Sequence, residues 1–235
     1  MPTVDLESPL GSQSLTAYVA YPAANGPRPG VVALHEVFGL DDVMRRQADR
    51  LAAAGYLTIA PDLFSDGGPR RCLVSTFRSM ATGRGKAFAD IEASRQWLLE
   101  QPDCTGKVGV IGFCMGGAFA LVTSTTGFDV ASANYGMVPR HAEQALAGAC
   151  PIVASYGRWD GMVGMAGKLE RTLTTLGIEH DVKTYPNAGH SFLNDAPNGP
   201  VPLRPLMKVL KVGPEPTAAA DAWRRIEAFF AKHLA

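Results

Sequence analysis

The segment Val108–Gly117 contains the residue type and spacing best suited to covalent chemistry. A short apolar run is followed by Gly112-Phe113-Cys114-Met115-Gly116, which matches the G-x-S-x-G nucleophile elbow with sulfur in place of the serine oxygen. Glycines two residues before and after the nucleophile let the strand and the following helix approach each other closely. The positive end of that helix would favour the thiolate of Cys114. A purely structural turn around a buried cysteine is the alternative at this point.

A nucleophilic cysteine needs a base, and the base needs an orienting acid. Asp160 comes just after a strand-like segment, and His190 lies on a loop after the next one. The chain order of nucleophile, acid and histidine is typical of α/β-hydrolases, and successive strand ends would bring the three groups to one rim of a sheet. Other histidines and acids sit where surface or structural positions are expected: His141, His180, His233, Asp62, Asp129, Asp181 and Asp195.

A further candidate segment is His35-Glu36-Val37-Phe38-Gly39, at the end of the third predicted strand. It lacks the second histidine of H-E-x-x-H, so a zinc site is disfavoured. A loop at this point in α/β-hydrolases gives one backbone N–H to the oxyanion hole, and the residue after the nucleophile gives the other. These donors would be Val37 and Met115. Glu36 has two interpretations: a proton acceptor for the thiol, or a solvent-facing or salt-bridged carboxylate.

Apolar strand-like segments alternate with helical segments along the whole chain. Continuous apolar strands separated by helices predict a mostly parallel sheet covered by helices on both faces, in one domain over residues 1–235. Two stretches, Ser65–Gly83 and Asn194–Pro216, look like loops that follow strand ends and could shape a pocket. The predicted strands are Leu15–Tyr21, Gly30–Leu34, Leu57–Ala60, Lys107–Ile111, Val130–Asn134, Ile152–Tyr156 and Glu179–Tyr185. The predicted helices are Asp41–Ala54, Gly85–Glu100, Met115–Thr125, Gly164–Leu176 and Thr217–His233.

Composition and charge exclude several classes of partner. The 235 residues include 22 basic and 22 acidic side chains, a net charge of +0, so neither nucleic acid nor an anionic membrane is an expected partner. The first residues lack the basic and apolar regions of a signal peptide. The four cysteines form no C-x-x-C pair, which disfavours structural zinc and a disulfide framework. We therefore expect a cytoplasmic protein, either a monomer or a small homo-oligomer.

Five segments together resemble the dienelactone hydrolases (carboxymethylenebutenolidases) across nearly the whole chain: Glu36–Leu40, Ala60–Phe64, Gly112–Gly117, Asp160 and Ala188–Phe192. The resemblance implies an α/β-hydrolase fold, no metal or organic cofactor, and a triad of Cys114, His190 and Asp160. It also implies a role for Glu36, which in that family holds the resting thiol. When substrate binds, this glutamate takes the thiol proton and releases a thiolate paired with the histidine.

The sequence departs from the resembled family where the substrate is chosen. Well-known members carry an arginine four residues after the histidine, to hold a substrate carboxylate, and Asn194 occupies that position here. A second family arginine comes from the region after the fourth strand, where Arg71 and Arg78 are the candidates. Phe38 and Trp159, next to proposed catalytic groups, are further candidates for contact with substrate.

We therefore expect a cysteine-nucleophile hydrolase that cleaves a small lactone or an activated carboxylic ester through an acyl-enzyme. Thiolates expel poor leaving groups reluctantly, so an enolate or phenolate leaving group fits better than an alkyl amide. Two alternatives stay open at this stage. One is a non-catalytic binding protein with the same fold, and the other is a related hydrolase that acts on a thioester or peptide bond.

Overall fold

The structure is a computed structural model that describes residues 3–24, 26–68, 72, 75–76, 78–79, 83–197, 199 and 201–235. One sheet of eight strands runs through the described residues in the order β1-β2-β4-β3-β5-β6-β7-β8. The pairings β1–β2 and β2–β4 are antiparallel, and all the others are parallel. The strands are β1 Thr3–Leu6, β2 Leu15–Ala20, β3 Arg28–Leu34, β4 Leu57–Pro61, β5 Cys104–Phe113, β6 Val130–Asn134, β7 Ile152–Gly157 and β8 His180–Tyr185.

Helices cover both faces of the sheet, as the sequence predicted. The first and last long helices, α1 and α7, pack on one face through residues such as Met44 and Trp223. Helices α2, α3 and α5 pack on the other face, with Phe119 and Leu169 in that core. The helices are α1 Asp42–Ala53, α2 Lys86–Leu99, α3 Met115–Thr123, α4 Ala142–Ala145, α5 Val163–Leu176, α6 Arg204–Val209 and α7 Pro216–Leu234.

Local sequence signals explain where the two helices of the first face begin. Asp41 caps α1, because its carboxylate accepts a hydrogen bond from the N–H of Met44 at 2.9 Å. Glu215 caps α7 by accepting from the N–H of Ala218, and Pro216 stands at the first helical position, where no N–H is needed. Both helices of this face therefore begin at a residue whose side chain caps the first turn.

Several elements differ from the sequence predictions. Strand β1 was not predicted, and its four residues pair with β2. The alternating residues of Leu15–Tyr21 predicted a half-exposed strand, but β2 is largely buried. The stretch Ser65–Gly83 is not wholly a loop, because residues 72, 75–76 and 78–79 are helical. The stretch Asn194–Pro216 likewise contains a short 3-10 turn, Val201–Leu203, and helix α6. No helix in the described part of the chain has the length and apolar run needed to cross a bilayer.

Candidate active site

Cys114 lies at the sharp turn between β5 and α3, as the elbow motif predicts. Its φ of 54° is in the left-handed region, which a non-glycine residue rarely adopts outside strained turns. Both flanking glycines are needed for close approach. A Cβ on Gly112 would lie 1.9 Å from the carbonyl oxygen of Gly116, and one on Gly116 would lie 2.2 Å from that of Leu34. The backbone therefore holds the thiol at the carboxyl edge of the sheet, against the end of β3.

Strand register brings Glu36 to the same edge. Leu34 of β3 is aligned with Gly112 of β5, so Glu36 and Cys114 each lie two residues past the same register position. Glu36 is 1% exposed. Of the two interpretations from sequence, the solvent-facing carboxylate is therefore wrong. Its two carboxylate oxygens each lie 3.5 Å from the side-chain nitrogen of Asn194.

The acid and the imidazole meet at this edge too. Nδ1 of His190 lies 2.7 Å from Oδ2 of Asp160, and the other oxygen of Asp160 accepts from the N–H of Met162 at 2.9 Å. The two loops that carry them touch at Gly157, where a Cβ would lie 2.4 Å from the carbonyl oxygen of Gly189. The carboxylate is thus aimed at one ring nitrogen, which leaves the other available to face a nucleophile.

The surroundings of His190 favour the imidazolium. Burial alone would lower its pKa, but hydrogen bonds to Asp160 and Cys114, together with their charges, outweigh burial and raise the pKa to about 10. The Cys114 sulfur is therefore close enough to the ring to affect the pKa of His190. At neutral pH this histidine carries a proton that it can give to a leaving group.

The two candidate oxyanion donors flank this cluster. Met115 is the first residue of α3 and is buried, so its N–H belongs to the free N-terminal turn of that helix. Val37 lies on the loop after β3 and lines a cavity of about 660 Å³ together with Phe38 and Arg204. The cavity lies beside the predicted donor Val37, and its described lining includes neither Cys114 nor His190.

Comparisons with known proteins show which family the chain belongs to. The model of the dienelactone hydrolase family matches residues 15–234. The chain belongs to the dienelactone hydrolase family. It is 30% identical over 191 residues to the carboxymethylenebutenolidase of Pseudomonas putida, covering 75% of this chain and 80% of that protein. It is 28% identical over 234 residues to the carboxymethylenebutenolidase of Rhodococcus opacus, covering 92% of this chain and 86% of that protein.

A solved structure shows the same fold. A dienelactone hydrolase-like promiscuous phosphotriesterase from metagenomic libraries superposes with a TM-score of 0.79 at 23% identity, covering 100% of this chain and 98% of that one. The mostly parallel sheet with helices on both faces is thus an α/β-hydrolase fold, as predicted. As a dienelactone hydrolase family member, the chain is a hydrolase, and lactone hydrolysis is the family's reaction.

The sequence analysis missed one residue of the candidate site, Tyr135. Tyr135 follows β6 directly and has a φ of 43°. Its ring centroid lies 5.0 Å from that of His190, and its hydroxyl is fully buried near Glu36 and Cys114. Burial first, then the charges of Glu36 and Cys114, hold the pKa of this hydroxyl well above its usual value. The only sequence signal was its position at a strand end.

The candidates for substrate contact are spread over several loops. The ring of Phe38 packs where a Cβ on Gly199 would be, so the stretch after Asn194 closes over the cavity beside Val37. Trp159 is 58% exposed, and Nζ of Lys211 lies 4.2 Å from its ring centroid. Arg78 lies on a helical segment away from that cavity's lining, and Arg71 lies outside the described residues. Within the described ranges, no three His, Cys, Asp or Glu side chains are arranged to hold a metal ion.

Proposed function

We propose that this protein is a cysteine hydrolase that cleaves a small lactone or an activated ester through an acyl-enzyme on Cys114. The observation that carries the proposal is the pairing of His190 with Asp160 at 2.7 Å, with the Cys114 sulfur as a further cause of the raised pKa of His190. A thiol, an imidazolium and a buried carboxylate in this order can perform nucleophilic acyl transfer.

Glu36 starts the reaction in this proposal. Its carboxylate accepts the Cys114 proton, which leaves a thiolate paired with the His190 imidazolium. Asn194 contacts Glu36 through a neutral amide. Asn194 carries no charge, so no substrate carboxylate is needed to draw a cation away from Glu36 before the proton moves. We therefore propose uncharged esters and lactones as substrates.

The thiolate then attacks the carbonyl carbon, and the carbonyl oxygen takes the negative charge. The N–H groups of Val37 and Met115 stabilise this oxyanion. When the tetrahedral intermediate collapses, the bond from carbon to the leaving oxygen breaks and His190 gives that oxygen its proton. The product of this half-reaction is a thioester on Cys114 with a neutral His190.

Hydrolysis of the thioester uses the neutral imidazole as a base. Acylation removes the sulfur charge, which is one of the causes of the raised pKa of His190, so the ring no longer holds its proton as strongly. His190 takes a proton from water, the hydroxide adds to the acyl carbon, and the carbon–sulfur bond breaks. The acid leaves, and the thiolate and imidazolium are restored. Asp160 keeps the ring in the required orientation throughout.

The direct test is turnover of p-nitrophenyl acetate and an uncharged enol-lactone by Cys114→Ala. We expect turnover to fall to the level of the uncatalysed reaction while the circular dichroism spectrum is unchanged. Cys150→Ala is the matched control, because this cysteine lies just before β7, at the opposite end of the strand from Asp160, and burial raises its pKa to about 12. Full activity in Cys114→Ala contradicts the proposal, and inertness of the unmodified protein favours a binding role.

A further inference from the structure

His35 is a fully buried histidine that the proposed reaction does not use. It lies between two segments that the sequence analysis singled out: the loop that begins with Glu36 and the segment Ala60–Phe64. Its Nδ1 lies 2.6 Å from the carbonyl oxygen of Glu36, and its Nε2 lies 3.0 Å from the backbone nitrogen of Leu63. Both ring nitrogens therefore have backbone partners.

These two partners determine where the proton sits on the ring. A backbone N–H can only donate, so the Leu63 amide requires Nε2 to accept and hence to be unprotonated. The proton is then on Nδ1, which donates it to the Glu36 carbonyl. Oδ1 of Asp62 lies 3.6 Å from Nε2, farther away than the Leu63 nitrogen, and accepts from the N–H of Phe64 at 2.9 Å. Burial opposes ionisation of Asp62, but its contacts with His35 and with the Phe64 N–H hold its pKa below the usual value. Asp62 thus leaves this assignment unchanged.

The Glu36 carbonyl also determines the direction of the Val37 N–H. The two groups belong to one trans peptide, in which C=O and N–H point in opposite directions. The N–H of Gly39 donates to the same carbonyl oxygen at 3.2 Å. With two donors holding this oxygen on one side, the peptide cannot rotate without losing both hydrogen bonds.

We infer that His35 is a positioning residue for the oxyanion hole, which locks the Glu36–Val37 peptide so that the Val37 N–H stays directed into the site. The Ala60–Phe64 segment serves as the anchor, because the Leu63 N–H fixes the ring tautomer that can donate to Glu36. The inference rests on the proposed function, because the proposed reaction requires the Val37 N–H as an oxyanion donor and His35 is what holds that N–H in place.

The test compares two reactions of Cys114 in the same protein. Acylation by p-nitrophenyl acetate generates an oxyanion, whereas alkylation by iodoacetamide needs the thiolate but generates none. His35→Phe keeps the ring that packs on Phe64, at 4.9 Å between centroids, and removes both hydrogen bonds. We expect its acylation rate to fall by about 10- to 100-fold. Its alkylation rate should stay within about twofold of the wild type.

Two further variants separate positioning from packing. His35→Gln can still donate to Glu36 and accept from Leu63, so it should recover most of the acylation rate that His35→Phe loses. His180→Phe is the matched control: its Nδ1 also lies close to a backbone carbonyl, that of Ile178 at 2.7 Å, but at the opposite end of β8 from the His190 loop. This control should acylate at the wild-type rate. Equal losses of acylation and alkylation in His35→Phe would overturn the inference.

A measurement on the wild type covers the case in which His35→Phe does not fold. Nitrogen-15 chemical shifts of histidine-labelled protein distinguish the two tautomers, and His35 can be assigned through contacts with the Phe64 ring protons. We expect a protonated Nδ1 and an unprotonated Nε2. The opposite tautomer, with the proton on Nε2, would overturn the inference. Failure of this inference can be told apart from failure of the proposed function. Activity in Cys114→Ala would refute the proposed function, whatever the result for the His35 variants.

Discussion

The side-chain nitrogen of Asn194 lies 3.5 Å from each carboxylate oxygen of Glu36, inside the protein and four residues after His190. A buried carboxylate without a hydrogen-bond donor is costly, so the amide of Asn194 is a favourable neighbour for the Glu36 side chain. The same contact replaces the arginine that the resembled family carries at this position. We therefore expect the contact between Asn194 and Glu36 to affect both the stability of the protein and its choice of substrate.

Asn194→Asp should destabilise the protein in a pH-dependent way. The substitution preserves shape but sets two carboxylates against each other, which raises the pKa of one of them in the folded state. We expect the free energy of unfolding to fall by about 1.5 to 3 kcal/mol at neutral pH. Because a raised carboxyl pKa costs stability only where the unfolded carboxyl is ionised, the deficit should shrink as the pH falls toward about 4.

Urea unfolding at neutral and acid pH measures this effect. Asn187→Asp, at an exposed position three residues before His190, controls for the added charge and should change stability little at either pH. A deficit in Asn194→Asp that does not depend on pH would show that Asn194 does not act on the charge of Glu36.

Asp160→Asn should shift the pH dependence of acylation. In the proposed reaction the imidazolium of His190 donates to the leaving group, so acylation declines as the pH rises through the pKa of about 10. Asparagine removes the carboxylate that helps to raise this pKa, and the decline should begin at lower pH. The maximal rate should also fall, by about 100-fold or more, since the ring loses its orienting partner.

Initial rates with an uncharged alkyl ester, whose alkoxide cannot leave without a proton from His190, give the profile for both proteins after correction for spontaneous hydrolysis. Asp195→Asn is the matched control, because Asp195 is close to His190 in sequence but forms an ion pair with Arg46 on the surface. If the acylation rate declines at the same alkaline pH in Asp160→Asn and in the wild type, then Asp160 does not control the proton on His190.

Gly157→Ala should push apart the loop that carries Asp160 and the loop that carries His190. The added Cβ would lie 2.4 Å from the carbonyl oxygen of Gly189 and 2.6 Å from that of Ala188, so backbone has to move. Overpacking of this kind costs about 1 to 3 kcal/mol of stability. Moving the imidazole by about 1 Å should lower kcat by about 100-fold. Thermal unfolding and steady-state kinetics report the two effects.

The control for this substitution is Gly161→Ala, four residues further along the chain on the loop that follows β7. A Cβ there meets no atom within 4 Å. This variant should keep both the melting temperature and kcat of the wild type. If the two alanine variants behave alike, then the contact between the loops at Gly157 is not what aligns His190 with Asp160.

Most of the fold was predictable because its signals are local. Short strand-like segments between helical segments predicted the six parallel strands, five of them as apolar runs, and Asp41 or Asp42 was the expected cap at the start of α1, of which Asp41 is the cap. Helix α6 was missed because the stretch Asn194–Pro216 is rich in glycine and proline, although a proline such as Pro205 is compatible with the first turn of a helix. Strand β1 was missed because only one of its four residues is buried.

The candidate site was predictable in part for the same reason. Cys114, Asp160 and His190 each follow a strand, so chain order alone brings them to one edge of the sheet. The partners of Glu36 and His35 come from elements distant in sequence, and only strand register and loop packing bring them together. Tyr135 has no motif of its own, so the sequence offered nothing to distinguish it from core tyrosines.

The proposed acyl-enzyme can be observed directly. Wild-type protein mixed with p-nitrophenyl acetate and quenched in acid within milliseconds is analysed by intact mass and then by peptide mapping, with Cys114→Ser and Cys150→Ala treated in parallel. We expect the mass of one acetyl group on the wild type and on Cys150→Ala, located on the peptide that contains Cys114. No acetyl adduct during turnover, or an adduct located on another residue, would contradict the account.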